Sequence, residues 1–213
     1  LAYVQNDVDS KDNVAQKEIK ALIAHEQELL NISVLNTLFN YNADVVWVYR
    51  GEVIDIASKA AFNKWLSVIC DQVYCDTPVY INEMVNKHKP SSAISTARVN
   101  FLAHLLDNAA EQNLGFEDGK FPPEKTIYLT LLQNTGIHKR IGREYLMDTP
   151  TEESFLPLWN ACEAFLDSTK EKPRKLGELI KILRSRPFKL KQGVIDLWLP
   201  AFLIIKKNDY SLY

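Results

Sequence analysis

The chain has 213 residues, of which 46% are apolar and 24% are charged, and its 25 basic and 27 acidic residues give a net charge of -2. These values are typical of a globular protein and exclude a disordered, collagen-like or low-complexity chain. The small net charge gives no global indication of a nucleic-acid or membrane binder.

Neither a signal peptide nor a membrane span is predicted. The chain begins at Leu1 without a basic leader, and its longest apolar run, Val194 to Ile205, is interrupted by Asp196 and Pro200. That run is shorter than the ~20 residues that a bilayer requires. The three cysteines lack CxxC spacing and indicate neither a disulfide framework nor a zinc site. We therefore expect a cytoplasmic protein with reduced thiols.

A long helix and a β-hairpin are the first elements predicted. Residues 10–40 contain neither Gly nor Pro, and their apolar residues recur at intervals of three, four and seven, as in an amphipathic helix capped by Ser10 or Asp12. Residues 44–56 are rich in β-branched and aromatic side chains around Arg50 and Gly51, where glycine permits the positive φ of a hairpin turn.

An isolated hairpin is only marginally stable in water. We therefore expect the apolar side chains of this hairpin to lie against helices or a further strand. These side chains include Val46, Val48 and Val53.

Capping residues and apolar spacing predict seven further helices. Their approximate ranges are 58–73, 79–86, 92–111, 123–136, 151–165, 176–183 and 192–206. The predicted fold is therefore mostly α, a multi-helix orthogonal bundle with one β-hairpin near 44–56. Residues 1–150 are predicted to form a helical domain and residues 151–213 a helical subdomain; the alternative is that both form one domain.

The C-terminal part has the element order of a winged-helix module. A short helix, a connector through Pro187 and a second helix precede residues 209–213, which resemble the start of a strand. The chain stops there, so we expect a truncated module and a fragment of a longer protein. The last helix is apolar on nearly every side, which predicts that it is buried rather than inserted into a DNA groove.

Basic residues are concentrated between Lys170 and Lys191, where nine of them stand against two acidic residues, a local charge of +7. Such a cluster attracts phosphate groups even in a nearly neutral chain, so contact with DNA is one predicted function. The alternative is a solvated helix face whose cations pair with acidic neighbours. The candidate nucleic-acid-binding residues are Lys172, Arg174, Lys175, Lys181, Arg184, Arg186, Lys189 and Lys191.

No catalytic motif, cofactor site or metal site is predicted. The chain contains no P-loop, dinucleotide-binding, G-x-S-x-G or H-E-x-x-H motif, and its four histidines stand far apart in the sequence. Glu83 and Arg98 are candidates for a structural polar pair that joins two helices, with a partner contact as the alternative. An enzyme whose site is assembled only by the fold is a further alternative.

Several sequence phrases together resemble a known family. They are 66–74 (LSVICDQVY), 78–86 (PVYINEMVN), 91–98 (SSAISTAR), 122–128 (PPEKTIY), 136–138 (GIH), 187–197 (PFKLKQGVIDL) and 210–213 (YSLY). They are similar to a helical region downstream of the nucleotide-binding core in large bacterial P-loop ATPases of phage-exclusion (BREX-type) and related defence systems. The resemblance runs from about Val46 to the C-terminus.

This resemblance implies a non-catalytic interaction or scaffold region of a larger ATPase. Its expected partners are the remainder of that chain or other protein subunits, with a link to DNA and none to a membrane. The ATPase residues of the family have no counterpart in this chain.

Overall fold

A computed structural model describes residues 12–39, 45–85 and 91–211. Within these ranges the chain forms seven α-helices and two antiparallel hairpins. The predicted mostly α class with a β-hairpin is therefore confirmed. The chain divides into two compact units, residues 1–70 and residues 71–213.

The N-terminal unit contains a long helix, a hairpin and most of a second helix. The elements are α1 (Asn13–Phe39), β1 (Trp47–Tyr49), β2 (Glu52–Ile54) and α2 (Lys59–Val73). Asp12 caps α1, because its Oδ1 accepts hydrogen bonds from the N–H groups of Val14 and Ala15 at 3.0 Å. Ser58 caps α2 in the same way, with its Oγ 3.1 Å from the N–H of Ala61. Both caps agree with the predicted helix starts.

The turn of the first hairpin has the conformation that its sequence predicts. Arg50 and Gly51 have φ angles of 53° and 86°, so both central residues are left-handed, as in a type I′ turn. Trp47 and Tyr49 are half-buried. Their rings lie 5.0 Å and 6.5 Å, between centroids, from Phe62 and Trp65 of α2, respectively.

The expected burial of the hairpin valines is wrong. Val46, Val48 and Val53 are 68%, 61% and 74% exposed. Successive strand residues point to opposite faces, so packing the aromatic face of β1 against α2 turns Val48 and its cross-strand partner Val53 outward.

The C-terminal unit contains five helices and the second hairpin. The elements are α3 (Ser92–Asp107), α4 (Pro123–Tyr128), β3 (His138–Ile141), β4 (Glu144–Met147), α5 (Leu156–Ser168), α6 (Leu176–Arg184) and α7 (Gln192–Ile205). α4 begins with a proline, as predicted, and continues into a π-helical turn over Leu129–Gln133. Ser91 caps α3 by accepting a hydrogen bond from the N–H of Ile94 at 3.4 Å.

One hydrophobic core holds the C-terminal unit together, and α7 lies in it with seven buried residues. The rings of Trp198 and Phe202 are stacked with centroids 6.0 Å apart, and Trp159 of α5 meets Phe202 edge-on at 5.3 Å. Burying each such side chain contributes about 1.5–3 kcal/mol. The predicted burial of the last helix is confirmed.

The division between the units differs from the predicted boundary near residue 150. The core combines residues on both sides of that position, from Val85 and Phe101 to Trp159 and Phe202. Helices α5 to α7 therefore belong to the same unit as α3 and α4. A boundary falls instead between Cys70 and Asp71.

The hairpin of β3 and β4 is not predicted by the sequence analysis. Its turn contains Gly142 with a φ of 67°, and its strands have only four residues each. Charged residues occur in both strands, which obscures the alternation of apolar and polar side chains that identifies a strand.

The predicted helix over 79–86 is wrong for the residues that the structure describes, and Asn86 lies outside them. Residues 79–82 have no regular structure and residues 83–85 form a turn. Hydrogen bonds to distant elements hold this segment: the N–H of Val79 donates to Ser154 Oγ at 3.2 Å, and Asn82 Nδ2 donates to Thr130 Oγ1 at 3.1 Å. These tertiary bonds replace those of a local helix.

The winged-helix interpretation stays a prediction. Residues 209–211 form no strand, and residues 212–213 lie outside the described part of the chain.

Candidate functional site

The basic segment comprises α6, the residues directly before it and the loop that connects it to α7. Of its eight candidate residues, Arg174 is half-buried and the other seven are exposed. Within the described residues, none of these seven forms a salt bridge. We refer to them as the basic surface. Its members are Lys172, Lys175, Lys181, Arg184, Arg186, Lys189 and Lys191.

Arg174 has a structural role instead. Its Nη2 lies 2.8 Å from Glu178 Oε2, and its Nη1 donates to Ser168 Oγ at 2.7 Å. The guanidinium also lies over the ring of Phe165, 4.5 Å from the centroid. The hydrogen bond from Arg174 lowers the pKa of the Glu178 carboxyl. Arg174 therefore joins the end of α5 to the start of α6, which leaves it fewer donors for a ligand.

The loop after α6 folds back onto the last turn of that helix. The N–H of Lys189 donates to the carbonyl oxygen of Ser185 at 2.8 Å, and the N–H of Leu190 donates to that of Leu183 at 2.9 Å. Phe188 and Leu190 are buried in the core. The loop cations therefore belong to a segment that is anchored on both sides of Lys189.

The predicted pair of Glu83 and Arg98 does not form in the described part of the chain. Arg98 Nη1 lies 3.7 Å from Asp196 Oδ2 instead, and this ion pair joins α3 to α7. Glu83 is exposed, because its turn directs the neighbouring Asn82 and Val85 into the protein. Arg98 thus has a structural partner, but one that is distant in sequence.

An open apolar groove of about 340 Å³ lies between α3, α6 and α7. Arg98 and Asp196 line it together with aliphatic side chains. Arg98 also lines a partly open cavity of about 20 Å³, enough for a single water molecule. Because the ion pair balances its own charge, the groove offers no net charge to a ligand.

A buried hydrogen-bonded chain lies in the core, and nothing in the sequence pattern indicates it. The hydroxyl of Tyr128 lies 3.0 Å from His138 Nδ1, and His138 Nε2 lies 3.2 Å from the carbonyl oxygen of Ala109. Burial lowers the pKa of His138 and raises the pKa of Tyr128 to about 12. Both side chains are therefore neutral near pH 7. No local motif identifies this pair, because its members are ten residues apart and a π-helical turn over Leu129–Gln133 lies between them.

The remaining histidines and cysteines are scattered. His25 is exposed, His88 lies outside the described residues, and His104 Nδ1 lies 2.9 Å from the carbonyl oxygen of Leu114. Across the described ranges, no group of three or more His, Cys, Asp or Glu side chains has the arrangement of a metal site. All three cysteines are free thiols, and burial raises the pKa of Cys162 to about 12.

The N-terminal unit has an extensive exposed apolar surface. Among residues 12–39 and 45–70, only Ile56 is buried. Nine large aliphatic side chains of α1 and the first hairpin are between 43% and 74% exposed. We refer to them as the aliphatic surface. Its members are Val14, Leu22, Leu29, Leu30, Ile32, Val34, Val46, Val48 and Val53.

Comparisons with protein-family models, curated proteins and solved structures find no match to this chain. In the ranges that the structure describes, no helix has both the length and the apolar character needed to cross a membrane.

Proposed function

We propose that this chain is a non-catalytic interaction region whose N-terminal unit packs its aliphatic surface against another part of a larger protein. The observation that carries the proposal is how few side chains of this unit are buried. Within its described residues, one side chain is buried and nine large aliphatic side chains are exposed. Exposure of so many large apolar side chains on one small unit is typical of protein interaction sites.

The free energy available from this surface favours a partner within the same polypeptide. Fully burying one large aliphatic side chain contributes about 1.5–3 kcal/mol, so covering nine partly exposed ones would contribute on the order of 10 kcal/mol. Association of two separate proteins costs about 4–15 kcal/mol in lost freedom of motion, which would cancel most of that gain. A covalently attached partner avoids much of this cost.

The charge distribution of α1 supports the same interpretation. Residues 29–39 of this helix include no charged side chain, whereas residues 17–28 include five. Depletion of charged residues is characteristic of the fully buried centre of an interface. The uncharged half also includes Leu30, the most exposed aliphatic residue of that stretch at 65%. We therefore expect this half of α1 to form the centre of the contact.

A finer form of the proposal identifies the larger protein as a cytoplasmic P-loop ATPase of a phage-defence system. The sequence phrases at 66–74 and 187–197 support it through their resemblance to the helical region of such ATPases. Three free thiols fit a reducing compartment.

Photo-crosslinking from α1 tests the proposal. A photoreactive amino acid is placed at Leu30 of the full-length protein in its native cells, and crosslinked peptides are identified by mass spectrometry. We expect crosslinks to peptides outside residues 1–213 of a polypeptide that contains a P-loop. The matched control has the same amino acid at Arg143, an exposed residue in the turn of the second hairpin.

Crosslinks no more frequent than at the Arg143 control, or only to residues 1–213, would refute the interaction. Crosslinks to a polypeptide without a P-loop would refute the ATPase assignment and retain the interaction.

A further inference from the structure

The seven cations of the basic surface lie on one short helix and on the segments directly before and after it. α6 has nine residues and is therefore about 13 Å long. Lys172 and Lys175 lie before its first turn, whereas Arg184 and Arg186 lie at its end. Because B-DNA carries one phosphate per ~3.4 Å along each strand, this length corresponds to about four base pairs.

The solvent-facing side of α6 is positively charged, and no other described part of the protein covers it at Gly177. Leu179 and Leu183 are buried, so Lys181 lies on the opposite side of the helix. Gly177 and Arg184 share the face of Lys181, because they lie four residues before it and three residues after it. A Cβ atom at Gly177 would meet no atom within 4 Å. The helix backbone is therefore accessible beside the cations, and an extended polyanion can approach it closely.

The loop presents its cations from a fixed backbone. Lys189 has a φ of 52° and lies between the buried Phe188 and Leu190. Thr77 Oγ1 also donates a hydrogen bond to the carbonyl oxygen of Phe188. Anchoring on both sides reduces the backbone entropy lost when a ligand binds to this loop.

This surface lacks two features with which many proteins read bases, a helix inserted into the major groove and an exposed aromatic ring. The neighbouring helix α7 is buried in the core, so it cannot enter a major groove. Phe188 is the only aromatic residue between 170 and 191, and it is buried, so no ring there can stack on an unpaired base. The exposed groups of the surface are cations, which bind phosphates independently of base sequence.

We infer that the basic surface binds the phosphate backbone of a nucleic-acid duplex without sequence preference. This function goes beyond the interaction through the aliphatic surface and does not depend on it, because the two surfaces belong to different units. The cations of the basic surface form no salt bridge within the described residues. They can therefore neutralise phosphates without first breaking an internal ion pair. Arg174 is not part of the site, since its guanidinium is held by Glu178 and Ser168.

Salt-dependent binding to 30-base-pair duplexes tests the inference. The full 213-residue chain is titrated with DNA duplexes, RNA duplexes and single-stranded DNA between 50 and 300 mM KCl, by fluorescence anisotropy. The test variant combines Lys181→Gln, Arg184→Gln and Lys189→Gln. The matched control combines Lys20→Gln, Lys59→Gln and Lys64→Gln, three exposed lysines of the N-terminal unit. Circular dichroism establishes that both variants are folded.

We expect the natural chain to bind a duplex with affinity that decreases steeply with salt. Each phosphate contact contributes about -0.9 to the slope of log K against log salt, so the test variant should lose about three units of slope. Its affinity at 50 mM KCl should fall at least about ten-fold, and that of the control should stay within about two-fold. Duplexes of different base sequence should bind equally. Binding to either duplex type supports the inference, and the tighter one identifies the nucleic acid.

Three results would overturn the inference. One is the absence of duplex binding at 50 mM KCl. Another is an equal loss of affinity in the test and control variants. The third is tighter binding to single-stranded DNA, or to vesicles with 30% phosphatidylserine, than to any duplex.

Discussion

Replacing Tyr128 with phenylalanine removes one hydroxyl group from the buried chain that includes His138. A carbonyl oxygen only accepts hydrogen bonds, so His138 Nε2, 3.2 Å from the carbonyl oxygen of Ala109, carries the ring proton. His138 Nδ1 must then accept the hydrogen bond from the Tyr128 hydroxyl, 3.0 Å away. The variant Tyr128→Phe therefore leaves Nδ1 without a donor.

The size of the effect follows from burial. Tyr128 is 1% exposed and His138 is 4% exposed, so water cannot easily replace the missing hydroxyl. A buried polar atom that loses its partner costs about 1–3 kcal/mol. The aromatic ring remains, so the cavity left behind is small. In a protein of this size 1 kcal/mol changes Tm by about 2–4 °C, and we expect a decrease of several degrees.

Urea unfolding at pH 7.5, followed by circular dichroism, measures this loss. Tyr145→Phe is the matched control, because the Tyr145 ring lies 5.4 Å from that of His138, and its hydroxyl forms no hydrogen bond within the described residues. We expect the control to change the free energy of unfolding by less than about 0.5 kcal/mol. Equal stability of the two variants would refute the assignment of the hydrogen bond.

Two further predictions concern pH and the backbone. Burial lowers the pKa of His138 below 6.5, so the His138 imidazole takes up its second proton more readily in the unfolded chain than in the folded protein. The free energy of unfolding should therefore decrease as the pH falls below 6.5. Urea unfolding between pH 5 and 8 should show this decrease in the natural chain and a smaller one in His138→Gln; identical profiles would contradict the prediction. Gly136 and Gly142 both have positive φ, so an alanine at either position costs about 1–2 kcal/mol in backbone strain. Gly136→Ala should destabilise the protein more than Gly142→Ala, because only at Gly136 would the new Cβ lie 2.0 Å from Thr151 Oγ1. Equal Tm values of these two variants would show that Thr151 moves aside without cost.

Much of the secondary structure could be predicted because its causes are local. The caps at Asp12, Ser58 and Ser91 each act on N–H groups two or three residues away. Arg50 and Gly51 adopt positive φ because of the turn that they themselves form. The second hairpin was missed because charged residues obscure the alternation in its short strands. The helix over 79–86 was predicted wrongly because contacts with other elements of the C-terminal unit decide the conformation of that segment.

Less of the candidate site could be predicted. The sequence identified the charge cluster but could not separate Arg174 from the seven exposed cations, because the contacts of Arg174 with Phe165 and Ser168 depend on how α5 packs beside α6. It also assigned Glu83 to Arg98, whereas the fold places Asp196 there, almost a hundred residues later.

The sequence by itself determined the helical class, the starts of several helices, the first hairpin turn and the positive charge of residues 170–191. Each of these depends on side chains that are close to one another in the sequence. Only the tertiary structure decided which cations of the described residues form no salt bridge, which valines are exposed and how His138 is kept neutral. These properties depend on burial and on partners distant in sequence, and the packing of whole helices sets both.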